Sequence, residues 1–144
     1  MERNKKCWCG SGKKYKYCHL TIEEKIESHR RKGEIVPSRQ MLKTEEQIKK
    51  IKESAALNNA VLDEISSKIA VGMNTGEIDR IVYDFTTKRG GIPATLNYEG
   101  FPKSVCTSIN NEVCHGIPDD SVILQEGDII NVDVSTILNG YFSD

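Results

Sequence analysis

From Thr44 onward, apolar residues recur at close to helical spacing. Ile48, Ile51, Ala55, Leu62, Ile65 and Ile69 mark one stripe, which predicts a long amphipathic helix to about Ala70. Thr44-x-x-Gln47 is a capping-box pattern at its start, and Glu45 and Glu46 sit where the helix dipole favours acidic groups. Gly72 is expected to end this helix. Thr75 opens a second one, with Ile78, Ile81, Val82 and Phe85 on one face, stopped by Gly90-Gly91 and Pro93. From Thr95 the chain reads as strand-rich. Val105, Thr107 and Ile109 alternate, Asn110-Asn111 offers a turn, and Val113-Cys114-His115 reads as a resumed strand. Asp128 to Ile137 reads as one further strand, Asn139-Gly140 as a two-residue hairpin loop, and Tyr141 to Asp144 as the return. Helices followed by antiparallel strands place the chain in the α+β class. Residues 20–43 are polar and mixed in charge, which accommodates a short helix and then an extended linker through Val36-Pro37-Ser38, with His29 as a surface residue.

Composition removes several alternatives. The 144 residues are 38% hydrophobic and 28% charged, enough for one ordinary domain or a small module attached to a larger unit. No apolar run approaches the ~18–20 residues of a membrane span. The polar start Met1-Glu2-Arg3-Asn4-Lys5-Lys6 is not a secretory signal. Steady apolar content at a net charge of −1 argues against a disordered chain. That total hides a split: residues 1–50 hold 14 Lys+Arg against 7 Asp+Glu, and residues 51–144 hold 6 against 14. The sequence stops at Asp144 inside a strand-like pattern, so the expectation is the front part of a longer protein.

Cys7, Cys9 and Cys18 crowd the first twenty residues, and His19 follows directly. An odd cysteine count without a signal peptide points to reduced thiols in the cytoplasm, so a metal site takes precedence over disulfides. Cys7, Cys9, Cys18 and His19 together supply a closed tetrahedral shell for one structural zinc. Gly10 and Gly12 permit the tight turn that such close ligands need. A module of this size builds no core, so the metal would supply its folding free energy. The stretch Cys7-Trp8-Cys9-Gly10-Ser11-Gly12, then Lys13-Lys14-Tyr15-Lys16-Tyr17, then Cys18-His19 resembles the SEC-C motif, the zinc module at the C-terminus of the bacterial preprotein translocase ATPase. The resemblance implies docking rather than catalysis. Lysines interleaved with tyrosines suit phosphate or acidic protein surfaces, with the ribosome as the favoured partner.

Asp133 interrupts an apolar strand, where an unpaired carboxylate is costly to bury. With Asn139-Gly140 as a two-residue loop, Ser135 faces Asp144, and alternation puts Asp133, Ser135 and Asp144 on one face. Hard divalent metals suit two converging carboxylates; a salt-bridged pair on an exposed face is equally compatible with this geometry. His115, read alone, is more readily an ordinary core or surface histidine than a catalyst.

From Thr44 to Asp144 the chain is similar to type I methionine aminopeptidases, the metallopeptidases of the M24 "pita-bread" family. The carrying segments are Tyr98-Glu99-Gly100-Phe101-Pro102-Lys103-Ser104-Val105-Cys106-Thr107-Ser108, Asn111-Glu112-Val113-Cys114-His115-Gly116-Ile117-Pro118, Gly127-Asp128-Ile129-Ile130-Asn131-Val132-Asp133-Val134, and Asn139-Gly140-Tyr141-Phe142-Ser143-Asp144. The resemblance implies the first half of a pita-bread fold: two amphipathic helices plus antiparallel strands, preceded by the zinc module. It divides the chain into that module at 1–20, a polar linker at 21–43, and the N-terminal part of a methionine aminopeptidase domain at 44–144. It further implies two divalent metal ions (Co, Mn, Fe or Zn), with Asp133 chelating one and Asp144 bridging both, and two-metal hydrolysis of the scissile peptide. His115 would contact the scissile amide, and Tyr98, Phe101 and Cys106 would wall the methionine pocket. The substrate would be nascent polypeptide N-termini with a small second residue, and the full-length protein a monomer without membrane association. The family's remaining ligands, a histidine and two glutamates, are not among these residues, so the 144 residues alone are expected to be inactive. A competing reading is a zinc-containing, ribosome-associated docking protein with a non-catalytic pita-bread half. A prolyl-specific member of the family fits less well, because the runs around Cys106 and His115 match the methionine-specific branch.

Overall fold

A computed structural model describes residues 1–144, the side chain of Arg39 excepted. The chain divides into two compact units, Met1–Ile48 and Lys49–Asp144. In the first, two short arms run antiparallel. Cys7 N donates to Lys13 O (2.8 Å), Tyr15 N to Lys5 O (2.8 Å) and Lys16 N to Arg3 O (3.0 Å). Between the arms the backbone turns through Gly10 and Gly12 at φ +78° and +74°, a region where a side chain would be strained. A single 3-10 turn over Tyr15–Tyr17 leads to helix α1, Leu20–Arg31, which begins directly after His19. No residue of α1 is fully buried.

Helix α2, Glu45–Lys68, starts as the sequence predicts: Gln47 N donates to Thr44 Oγ1 (3.2 Å) and Thr44 N to Gln47 Oε1 (2.8 Å). Its buried face differs from the predicted stripe. Ser54, Leu57, Asn58, Val61 and Ile65 are buried, while Ile48 and Leu62 are exposed. Two polar residues take buried positions because they hold strand backbone, as described below. Helix α3, Thr75–Thr87, opens on a capping box between Asn74 and Glu77 and buries Ile78 and Val82 completely. These helices cover a core of Val61, Ile65, Ile78, Val82, Val105, Leu124 and Val134. Among the described residues no helix is long and apolar enough to cross a membrane.

The strands of the second unit are β1 (Ile92–Pro93), β2 (Cys106–Ile109), β3 (Ile130–Asp133), β4 (Thr136–Leu138) and β5 (Tyr141–Ser143). They form two antiparallel sheets, ordered β1-β4-β5 and β2-β3. The mixed helical and antiparallel architecture agrees with the α+β expectation. So does the hairpin, where Leu138 pairs with Tyr141 and Asn139 and Gly140 both have positive φ, +51° and +80°. Two strand expectations are corrected. The stretch from Asp128 to Ile137 is not one strand: it pairs with β2 up to Asp133, then changes sheet through Val134 and Ser135 to pair with β1 and β5. Val113-Cys114-His115 is a loop. His115 has φ +57°, which breaks an extended run, and Gly116 O accepts from Thr107 N (2.9 Å) beside β2. Gly116 packs so closely there that a Cβ would lie 1.9 Å from Thr107 O.

Candidate metal and substrate sites

In the first unit, Cys7, Cys9, Cys18 and His19 meet. Their ligand atoms all lie within 4.8 Å of one another, and the cysteines are free thiols. Cys9 Sγ is 3.6 Å from Cys18 Sγ, and His19 Nδ1 is 3.2 Å from both Cys7 Sγ and Cys18 Sγ. A disulfide would need about 2.05 Å between sulfurs. A tetrahedron of Zn–S bonds near 2.3 Å has edges of about 3.8 Å, close to the sulfur separation observed. The cluster therefore has the donor chemistry and size to hold one metal ion. Hydrogen bonds from the hydroxyl and then the backbone of Ser11 pull the Cys9 thiol down to about 6. Cys18 moves the other way: Ser11 favours its thiolate, but burial and the neighbouring thiols of Cys9 and Cys7 outweigh that and raise it.

In the second unit, a cavity of about 460 Å³ is lined by Tyr98, Phe101, Pro102, Cys106, His115 and Ile117, among others. All four residues read from the sequence as pocket or catalytic groups are thus brought together. The loop before β2 reaches this shape by turning through left-handed Asn97 and Glu99 (φ +65° and +48°) and closing with Asn97 N to Phe101 O at 2.8 Å. Asp79 on α3 pins its far end, accepting from Ser104 N at 2.7 Å and lying 3.5 Å from Lys103 Nζ. Cys106 is 6% exposed. Burial first, and then the charges of Asp133 and Cys114, raise its thiol pKa, so this wall is a neutral, soft sulfur. His115 is exposed on its loop, at the rim.

Asp133 ends β3 directly opposite Cys106 and is half-buried. Asp144 follows β5, and Ser135 Oγ donates to Asp144 Oδ1, which matches the predicted facing of Ser135 and Asp144. The two aspartates flank the change of sheet. Both are hard oxygen donors of the kind divalent cations take, and the described residues bring no further carboxylate or imidazole into a group with them.

Ser54 and Asn58 belong to no motif in the sequence. Asn58 Nδ2 donates to Val134 O (2.9 Å), and Thr136 Oγ1 donates to Asn58 Oδ1 (2.8 Å). Ser54 Oγ lies 3.2 Å from Thr136 O and 2.9 Å from Ser143 Oγ. These fully buried contacts clamp α2 to the crossover between the aspartates. The available signal was two polar residues, four apart, in line with Leu57, Val61 and Ile65.

Comparison with known proteins shows the family of the chain. A methionine aminopeptidase of Chlamydia trachomatis is 41% identical over 150 residues, an alignment that takes in 100% of this chain and 50% of that protein. The chain thus spans about half the length of the curated relatives it matches. The crystal structure of methionine aminopeptidase from Rickettsia prowazekii superposes with a TM-score of 0.67 at 43% identity, covering 69% of this chain and 40% of that one. A prolidase from Pyrococcus furiosus shares the fold at 19% identity and a TM-score of 0.56, over 72% of this chain and 29% of that one. Residues 3–21 match the SEC-C motif. Residues 49–144, most of the chain and all the elements that build the cavity and carry the aspartates, match metallopeptidase family M24, and the chain belongs to that family.

Proposed function

We propose that this chain is the N-terminal part of a cytoplasmic methionine aminopeptidase, which removes the initiator methionine from nascent polypeptides with a small second residue. The observation that carries this reading is the convergence of Tyr98, Phe101, Cys106 and His115 on one cavity, with Asp133 paired across the strands from Cys106. An unbranched thioether side chain suits aromatic faces and a neutral sulfur. Asp133 and Asp144 would hold divalent metal ions (Co, Mn, Fe or Zn), which supply Lewis-acid activation when bound. The His115 imidazole at the rim would donate to the scissile amide and stabilise the charge that develops there.

In this reading residues 1–20 are a structural zinc module, 21–43 a linker, and 44–144 the first part of the catalytic domain. The module would dock on the ribosome. Its two arms, joined by backbone hydrogen bonds and the antiparallel bridge Lys6–Lys14, form a ladder that carries Lys5, Lys6, Lys13 and Lys14, with Arg3 and Lys16 at its end and Lys16 Nζ over the ring of exposed Tyr17 at 4.9 Å. Such a surface fits a phosphate backbone. The alternative, a docking protein with a non-catalytic pita-bread half, draws on the same ladder.

The test is methionine release from short peptides by the protein in its full encoded length. With a divalent metal, a Met-Ala-Ser peptide should be cleaved, and His115→Ala should lower kcat at least 100-fold with little change in KM. No release with any of the four metals would favour the docking alternative, and an unchanged kcat in His115→Ala would remove this histidine from the reaction.

A further inference from the structure

The metal cluster is tied to α1 by a carboxylate that lies outside the SEC-C match at residues 3–21. Glu23 stands one helical turn beyond His19, with its backbone N donating to His19 O at 2.9 Å. Its side chain accepts from two aromatic donors, one per oxygen: Trp8 Nε1 to Glu23 Oε1 at 2.7 Å, and Tyr15 Oη to Glu23 Oε2 at 2.6 Å. Trp8 sits between Cys7 and Cys9, and its ring lies 4.7 Å from that of His19. Tyr15 is 4% exposed, and its carbonyl accepts from the backbone N of both Cys18 and His19. One carboxylate therefore links the Cys7/Cys9 arm, the Tyr15 arm and the helix that follows His19. A module with so little apolar core has few other means of fixing its ligands.

We infer that Glu23 is a positioning residue of the metal cluster, locking Trp8 and Tyr15 against the first turn of α1 and so holding Cys7 and Cys9 at binding distance from Cys18 and His19. The working fold of the module then extends into α1. The inference rests on the reading of this cluster as a zinc site.

Zinc affinity of the 144-residue chain, measured by chelator competition, tests it. Loss of an outer-shell partner typically costs about 10–100-fold in metal affinity, and Glu23→Ala should fall in that range. Glu23→Gln keeps a single acceptor oxygen and should lose less. Glu24→Gln, at the exposed neighbour, should lose nothing. Trp8 is the chain's single tryptophan, so its emission in the zinc-loaded protein should change in Glu23→Ala and not in Glu24→Gln. Tyr15→Phe should weaken zinc in the wild-type background and add little to Glu23→Ala, because both remove the same contact. If the wild type binds zinc, and Glu23→Ala and Glu23→Gln bind it equally well with unaltered emission, the role of Glu23 is overturned and the zinc reading stands. Should the wild type bind no zinc, the zinc reading falls and the inference falls with it. A Glu23→Ala loss that is additive with Tyr15→Phe would also overturn the clamp.

Discussion

Asn58→Ala tests the clamp at the sheet crossover most directly. Asn58 is 4% exposed, and its amide group bridges Val134 O and Thr136 Oγ1. Truncation leaves the buried Val134 carbonyl and the fully buried Thr136 hydroxyl without these partners. Each orphaned group costs about 1–3 kcal/mol, so the expected loss for the two is roughly 2–6 kcal/mol, against a typical domain stability of about 5–15 kcal/mol. Urea titration followed by far-UV circular dichroism, with zinc kept saturating so that the first unit contributes equally, reads this loss as a lower midpoint. Asn58→Asp adds a sign. Its carboxylate would face the Val134 carbonyl oxygen, whereas the protonated acid could donate to it. The folded state then raises the pKa above the unfolded value of about 3.9. A group with a raised folded pKa stabilises below the unfolded value and loses that contribution as pH climbs through the folded one. Relative to wild type, Asn58→Asp should therefore be least impaired near pH 4 and most impaired near pH 8. Thr136→Val removes the other polar partner, so combined with Asn58→Ala it should cost less than the sum of the two, by about 0.5–3 kcal/mol. An Asn58→Ala midpoint within about 0.5 kcal/mol of wild type, with Asn58→Asp insensitive to pH, would refute the clamp.

Two further tests address the loops. Gly116→Ala places a Cβ against the Thr107 carbonyl at 1.9 Å, a backbone contact that cannot yield locally. It should destabilise the second unit by about 1–3 kcal/mol in the same titration; an unchanged midpoint would mean that the His115 loop does not pack on β2 as described. Asp128 accepts from Asn110 Nδ2 (2.8 Å) and Gln125 N (2.7 Å), and these bonds, the Asn110 one first, hold its carboxyl below the usual value of 3.8. A depressed folded pKa stabilises above the unfolded value and is lost as pH falls through the folded one. The gap between wild type and Asp128→Asn should accordingly narrow below about pH 4, and a gap independent of pH between 6 and 2.5 would contradict the assignment.

What the sequence revealed and what it concealed divide by contact range. The Thr44 capping box, the Asn139-Gly140 hairpin and the Cys7-x-Cys9 and Cys18-His19 pairs are local chemistry, in which residue type and spacing dictate backbone geometry. The Asn58 to Val134 and Ser54 to Ser143 contacts join residues 76 and 89 positions apart, and no periodic pattern encodes a partner at that distance. The same limit explains the misread strand. Alternation through Asp133 and Ser135 says which side of a ribbon a side chain occupies, but not which neighbour the ribbon pairs with. The backbone pairs with β2 at Asp133 and with β1 and β5 at Thr136, so Asp133 and Asp144 are not neighbours on one uninterrupted ladder. The segment that follows Asp133 is fixed by the two residues between the sheets: the Val134 carbonyl held by Asn58, and Ser135, whose carbonyl accepts from Ala94 N and whose hydroxyl donates to Asp144. A metal site built on these aspartates would be tuned from α2 as well as from its own strands. Asn58 is the position at which a substitution far from any proposed ligand in sequence should move both.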